Sequence, residues 1–130
     1  MVAKPEQMPD AAAHRYRVVT PYGELGTATT AVLRLDLNRW SSREGVQRLI
    51  VDLSAVTFMD TSSLRILCTA HDRADHEGGW LRLVYTLPQI GTLLTATHLT
   101  VRFPCHATVA DARAGHSSPT PATSTGIRPR

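Results

Sequence analysis

The sequence predicts an α/β domain, in which helices pack against a β-sheet. Strand-like and helix-like segments alternate along the chain, residues 48–53 form a continuous apolar run, and residues 61–77 carry apolar side chains at helical spacing. The chain has 130 residues, 42% of them hydrophobic, which suits one domain with flexible ends. We therefore expect a flexible leader over residues 1–13, a folded domain over 14–113 and a disordered Ser/Thr/Pro-rich tail over 114–130.

The first half of the chain contains two predicted strands and one ambiguous segment. Residues 16–22 predict an early strand that ends near Gly23. The apolar run over 48–53 suits a strand that is buried on both faces. Residues 27–40 fit two patterns, since three leucines alternate as in a strand while another apolar set is spaced as in a helix. The alternating set is Leu33, Leu35 and Leu37, and the helical set is Ala28, Ala31/Val32 and Leu35.

The second half begins with the clearest helical pattern of the chain, over residues 61–77. Its apolar side chains recur at i, i+3, i+4 and i+7 from Leu64. Asp60 or Thr61 can cap the first turn, and Gly78-Gly79 supplies a left-handed stop. The remaining predicted elements are a strand over 80–85, a short helix over 88–97, a short strand over 99–103 and a last helical turn or two over 108–113.

The charge pattern argues against nucleic-acid binding. The net charge is +3, but residues 15–113 contain 11 Lys or Arg against 9 Asp or Glu, a surplus of only +2, and these cations are scattered. A nucleic-acid-binding domain normally clusters its cations on one face. The chain also has no signal-peptide pattern, no apolar run of about 20 residues and only two cysteines. We therefore expect a cytoplasmic protein with no membrane span.

No residue pattern predicts a catalytic or metal site. Asp52 at the end of the apolar run would need a later lysine to form a receiver-type phosphoacceptor site, and the sequence contains only Lys4. His71 and His76 are five residues apart, whereas joint metal ligation from one helix requires a spacing of four. The chain also lacks the Gly-x-Ser-x-Gly motif of serine hydrolases. We expect a protein that is not an enzyme and that needs no metal and no cofactor.

A short apolar step after the buried run leads to Phe58-Met59-Asp60-Thr61-Ser62-Ser63, which places three hydroxyls at the start of the predicted helix. These residue types are favoured as helix N-caps, so capping alone would explain them. The alternative is a regulatory site, where a kinase modifies a hydroxyl and a partner protein responds to the added charge. The turn by itself does not decide between the two.

The order of the motifs resembles the STAS domain family, as found in bacterial anti-sigma factor antagonists. The resemblance covers about residues 16–113, and Phe58-Met59-Asp60-Thr61-Ser62 is similar to the hydroxyl-bearing turn that is the hallmark of the family. The other landmarks are Gly23-Glu24-Leu25 and residues 49–54, 78–84 and 98–103. The resemblance implies a mixed β-sheet of four to five strands with helices packed on one side.

The resemblance also implies a function. In this family the unphosphorylated domain binds an anti-sigma factor, often itself a Ser/Thr kinase, and so frees a sigma factor for transcription, frequently in a stress response. Ser62 then corresponds to the phosphoacceptor, with Thr61 as second choice. The residues expected to contact the partner are Phe58, Met59, Asp60, Thr61, Ser62, Ser63 and Arg65.

Phosphate on Ser62 would act through its charge. Backbone N–H groups at a helix start can receive a phosphate, so the fold itself should tolerate it. The phosphate adds about −1.5 to −2 charges beside Asp60, in a surface that must lose water when a partner binds. Like charges at an interface cost several kcal/mol, so we expect a loss of affinity on the order of a hundredfold or more.

Two positions depart from the pattern of the family. Gly26 stands where the early turn usually continues with an Asp that lies close to the phosphorylation turn, and Ser63 stands where the hallmark turn usually continues with Gly. The alternative function is therefore a STAS scaffold that is not phosphorylated, or an accessory subunit of a lipid transport or stress-sensing complex. The sequence leaves the oligomeric state open, with a homodimer among the alternatives.

Overall fold

The computed structural model describes residues 16–39 and 48–121. Its elements alternate between strands and helices, which confirms the predicted α/β class. In chain order they are β1 (Arg17–Val19), β2 (Tyr22–Leu25), a 3-10 turn (Thr27–Thr29), α1 (Thr30–Arg39), β3 (Arg48–Asp52), β4 (Ala55–Met59), α2 (Thr61–His76), β5 (Trp80–Val84), α3 (Pro88–Ala96), β6 (Cys105–His106) and α4 (Val109–Ala114). The predicted leader, 1–13, and residues 122–130 of the predicted tail lie outside the described residues.

The main sheet contains four strands in the order β1-β3-β5-β6. The resemblance implied a mixed sheet, but the pairs between these four strands are parallel. They are parallel because each connection between them includes a helix, which returns the chain to the end of the sheet where the previous strand began. The strand β3 lies inside the sheet, and its Leu49, Ile50 and Val51 are buried on both faces. A second, two-stranded sheet pairs β2 with β4 and places Leu25 opposite Met59.

Three helices and one face of the sheet form the larger core. The buried leucines that these helices contribute are Leu33 and Leu37 from α1, Leu64 and Leu67 from α2, and Leu94 from α3. The short α4 lies on the other face, where its Ala112 packs with Ile50 and Val84. The expectation that helices cover one side is thus corrected for α4. Successive residues of β3 point to opposite faces, so Ile50 needs a cover of its own.

The ambiguous segment over 27–40 is helical in its described part. Leu33 and Leu37, one helical turn apart, are each 2% exposed, whereas Leu35 is 66% exposed. The buried stripe therefore combines two leucines from the alternating set. The helical set of Ala28, Ala31, Val32 and Leu35 faces outward instead.

Two predicted segments have a different structure. The apolar step before the hydroxyl turn is a strand, β4, because it pairs with β2. The strand predicted over 99–103 is wrong, since the chain turns there after His98, whose φ is 61°. Phe103 is fully buried, and its carbonyl accepts a hydrogen bond from the Tyr85 hydroxyl at 2.9 Å. The apolar residues of this segment thus serve the core from a turn, and the strand beside β5 begins at Cys105.

The described part of the segment predicted as a tail makes specific contacts. The Ser118 N–H donates to the Cys105 carbonyl at 2.8 Å, next to β6. Further along, the chain crosses α3 so closely that a Cβ added to Gly91 would lie 1.5 Å from the Pro121 carbonyl oxygen. Residues 116–121 therefore form a strap across α3, held by backbone hydrogen bonding and by the absence of a side chain at Gly91.

Candidate functional site

The hydroxyl-bearing turn lies where β4 ends and α2 begins. The Asp60 N–H donates to the Leu25 carbonyl at 3.1 Å, which holds the turn against the end of β2. Asp60 has an extended backbone, with φ −116° and ψ −179°, and Thr61 is the first helical residue. Asp60 is therefore the N-cap of α2, and of the two predicted candidates, Asp60 and Thr61, the first is confirmed.

The Asp60 carboxylate collects several hydrogen bonds at the start of α2. Its Oδ1 accepts from the Ser62 Oγ at 2.6 Å, from the Ser62 N–H at 3.0 Å and from the Ser63 N–H at 3.2 Å. These bonds satisfy N–H groups that have no partner within the helix. The Ser62 hydroxyl, and then backbone N–H groups including that of Thr27, hold the pKa of Asp60 below its usual 3.8, while partial desolvation opposes them. The carboxylate is therefore ionised at neutral pH.

The three hydroxyls of the turn differ in accessibility. Thr61 is exposed and Ser62 is half-buried, whereas Ser63 is fully buried. The Ser63 Oγ has no hydrogen-bond partner among the described residues. Ser63 is buried because each helical residue turns the side chain by about 100°, which places this position on the same stripe as Leu67 and Ala70. The hydroxyl that made the target ambiguous in the sequence is sealed from solvent.

The predicted partner-contact residues divide into an accessible group and a buried group. Phe58 is 40% exposed, Arg65 is exposed, and Asp60 and Ser62 are half-buried. Met59 is only 2% exposed, because side chains alternate along β4 and this one faces the core. The prediction that the side chains of Met59 and Ser63 touch a partner is therefore corrected. The residues that remain candidates for contact with a partner are Thr61 and the four accessible residues, Phe58, Asp60, Ser62 and Arg65.

Position 26 borders the turn, as the resemblance implied. A Cβ built on Gly26 would lie 3.2 Å from the Asp60 Oδ2. The Gly26 backbone is extended, with φ −137°, so its conformation would accept other residue types. An acidic residue there would confront the Asp60 carboxylate directly, and glycine removes this repulsion.

A groove of about 350 Å³ runs between α1 and α2 and includes Ser62 in its lining. From α2, Arg65 and Thr69 line it together with Ser62, at spacings of three and seven residues, and from α1 come Thr30 and Arg34, four residues apart. Arg34 and Arg65 are both exposed, and neither guanidinium group has an ion pair or hydrogen bond among the described residues. Arg34 was missed in the sequence because segment 27–40 was ambiguous. Its position one residue after the buried Leu33 indicates a place at the edge of the helix interface.

The other groups considered in the sequence lie away from this turn. His71 is half-buried, with its ring edge-on to Phe103 at 5.3 Å between centroids. Burial raises the pKa of both the Cys68 and the Cys105 thiols. In residues 16–39 and 48–121, no three His, Cys, Asp or Glu side chains are close enough to hold a metal ion. None of the helices in those ranges combines the length and apolar character that crossing a membrane requires.

Comparisons with known proteins agree with this architecture. The family model of the STAS domain matches residues 8–112. The crystal structure of an anti-sigma factor antagonist from Mycobacterium paratuberculosis is 27% identical, covers 78% of this chain and 86% of its own, and superposes with a TM-score of 0.69. A putative anti-sigma factor antagonist from Thermotoga maritima is 19% identical over 75% of this chain and 84% of its own, with a TM-score of 0.68, and at this identity it shows the fold alone. No curated protein sequence matches the chain.

Proposed function

The chain belongs to the STAS domain family, and from this we propose that it is an anti-sigma factor antagonist in the bacterial cytoplasm. It binds an anti-sigma factor and thereby frees a sigma factor for transcription. The Mycobacterium paratuberculosis protein supports this function, because the similarity extends over most of both chains. The protein acts by binding another protein and catalyses no reaction itself.

The anti-sigma factor docks over the turn that joins β4 to α2. Phe58 offers an apolar contact, since 40% of its surface is exposed on β4. Thr61, Ser62 and Arg65 add polar and charged groups along the first turns of α2. A surface that exposes an aromatic and an arginine side chain has the composition that is enriched in protein interfaces.

Phosphorylation of Ser62 releases the partner. The partner kinase transfers the γ-phosphoryl group of ATP to the Ser62 Oγ, so that a new P–O bond forms while the bond to ADP breaks and a base of the kinase takes the hydroxyl proton. The product carries about −1.5 to −2 charges beside the ionised Asp60. Repulsion at the desolvated interface then weakens binding by about a hundredfold or more.

One observation carries the assignment to Ser62. Ser62 is half-buried and its Oγ donates to the Asp60 carboxylate at 2.6 Å, whereas the neighbouring Ser63 is sealed in the core. Thr61 is exposed and is the second candidate acceptor.

Phosphate mapping and binding measurements test the proposal. The full chain is incubated with ATP and its candidate kinase, and the modified residue is located by mass spectrometry. We expect Ser62→Ala to abolish the signal and Thr61→Ala to retain it. In calorimetry with the anti-sigma factor, Ser62→Glu should bind about a hundredfold more weakly than the parent, while the neutral Ser62→Gln control should lose much less. Equal binding by Ser62→Glu and the parent, together with no phosphate on either hydroxyl, would refute the switch.

Gly26 favours a second candidate function, a STAS scaffold or accessory subunit that is never phosphorylated. In the family pattern an acid at this position lies near the turn, and here that acid is missing although the position still faces Asp60. If the kinase leaves the parent unmodified but phosphorylates Gly26→Asp, the scaffold of a lipid transport or stress-sensing complex becomes the better assignment.

A further inference from the structure

Ser62 shares its groove with two arginines that come from different helices. Arg65 lies three residues after Ser62 on α2, and at this spacing two side chains are neighbours on the same face of a helix. Arg34 reaches the same groove from α1. Since neither guanidinium has a partner among the described residues, both are free to bind an added anion.

The chemistry of Asp60 directs a phosphate on Ser62 away from the cap. In the unmodified protein the Ser62 Oγ donates its proton to the Asp60 Oδ1 at 2.6 Å. The phosphoester oxygen has no proton, so this hydrogen bond is lost and two groups of acceptor oxygens would face each other. Repulsion from the carboxylate therefore favours the orientation in which the phosphate points into the groove.

We propose that Arg34 and Arg65 form an anion clamp that binds the phosphate on Ser62 in the groove between α1 and α2. This inference rests on the proposed phosphorylation of Ser62. Guanidinium groups match the geometry of phosphate oxygens and form charge-assisted hydrogen bonds that are shorter and stronger than neutral ones. The groove, at about 350 Å³, has room for the phosphate, and the hydroxyls of Thr30 and Thr69 add polar lining.

The clamp gives phosphorylation two effects on a bound partner. The phosphate adds negative charge at the turn, and it also engages Arg65, which the unmodified protein presents to the partner. Because Arg34 belongs to α1, the phosphate also connects two helices. The modification therefore changes the interface without any change of fold.

Phosphorus NMR of the modified protein tests the clamp directly. Phosphoserine is incorporated at position 62 of the full chain during synthesis, so that no kinase is required, and the phosphate is titrated. Its second pKa is about 6 in an unpaired phosphoserine. A cation within about 4–6 Å lowers the pKa of an acid by one unit or more, and the nearby Asp60 acts in the opposite direction. We expect the double variant Arg34→Gln, Arg65→Gln to titrate about one unit higher than the parent.

The control removes one positive charge from a distant place, whereas the double variant removes two from the groove. Arg113 lies on α4, on the other face of the sheet, and Arg113→Gln should leave the phosphate pKa within about 0.2 unit of the parent. Arg34→Lys and Arg65→Lys keep the positive charge but lose the planar guanidinium that can bind two phosphate oxygens at once. They should therefore give phosphate pKa values between those of the parent and the double variant. Spectra of the unphosphorylated variants establish that each is folded.

The outcomes separate the clamp from the proposed function. If the double variant and the parent titrate at the same pH, the clamp is refuted even when a kinase modifies Ser62. If the double variant shifts and Arg113→Gln does not, the clamp is supported, even when no kinase is found and the regulatory function fails.

Discussion

Replacing Ser63 by alanine should stabilise the protein. Ser63 is fully buried in α2, and its Oγ has no hydrogen-bond partner among the described residues. A buried polar group without a partner costs about 1–3 kcal/mol. Alanine also has a higher helix propensity than serine, by about 0.5 kcal/mol. The void left by one oxygen atom reduces this gain by only a few tenths of a kcal/mol.

With the lower end of that range, the net effect of Ser63→Ala should be an increase of about 1 kcal/mol in the free energy of unfolding. For a domain of this size that raises the Tm by about 4–8 °C. The assay is urea unfolding followed by circular dichroism, where an unchanged m-value shows that the midpoint reports stability. Ser63→Gly is the matched comparison: it also removes the hydroxyl but loses about 1 kcal/mol relative to alanine, so it should lie near the parent.

A decrease in stability for Ser63→Ala would contradict this reasoning, because it would mean that the hydroxyl makes a bond that the fold needs. The same variant also bears on function. Since Ser63 is sealed in the core, Ser63→Ala should bind the anti-sigma factor and accept phosphate on Ser62 as the parent does.

Three further predictions concern the strap, the helix cap and the thiols. Gly91→Ala places a Cβ 1.5 Å from the Pro121 carbonyl, so the strap must move; we expect a loss of about 1–3 kcal/mol and faster amide exchange at Ser118, and unchanged protection there would argue against the contact. Because the folded pKa of Asp60 lies below 3.8, its carboxylate contributes stability above that pH and loses it as the pH falls through the lowered value. Asp60→Asn should therefore show a flatter decline of unfolding free energy on acidification, measured by urea titrations between about pH 2 and 6. Burial raises the pKa of both cysteine thiols, so iodoacetamide at neutral pH should label the folded chain far more slowly than the same chain in urea, by mass spectrometry.

The segments with local signals were predicted closely. The helix predicted over residues 61–77 is Thr61–His76, because Asp60 caps its start and Gly78, at φ 85°, ends its C-terminal turn. The strand predicted over 48–53 is Arg48–Asp52, whose short apolar run is typical of a strand that is covered on both faces.

The sequence left two alternatives open where two patterns overlap, and it predicted a wrong strand where burial does not require one. Leu33, Leu35 and Leu37 satisfy a strand period, yet Leu33 and Leu37 also lie one helical turn apart, and packing against the sheet decided for the helix. Phe103 is fully buried, but it enters the core from a turn while Cys105 takes the place beside β5. The hydrophobicity of a segment predicts that its side chains are buried, but it does not predict which backbone conformation buries them.

The sequence by itself determined the α/β class, the main helix with its cap and the family to which the chain belongs, since each depends on neighbours along the chain or on ordered motifs. Only the tertiary structure decided that Ser63 is sealed while Ser62 stays accessible, that Gly26 faces Asp60, and that Arg34 shares a groove with Ser62. Spacing along one helix establishes which side chains share a face. The distance between α1 and α2 depends instead on how both helices pack, and no local sequence pattern encodes it.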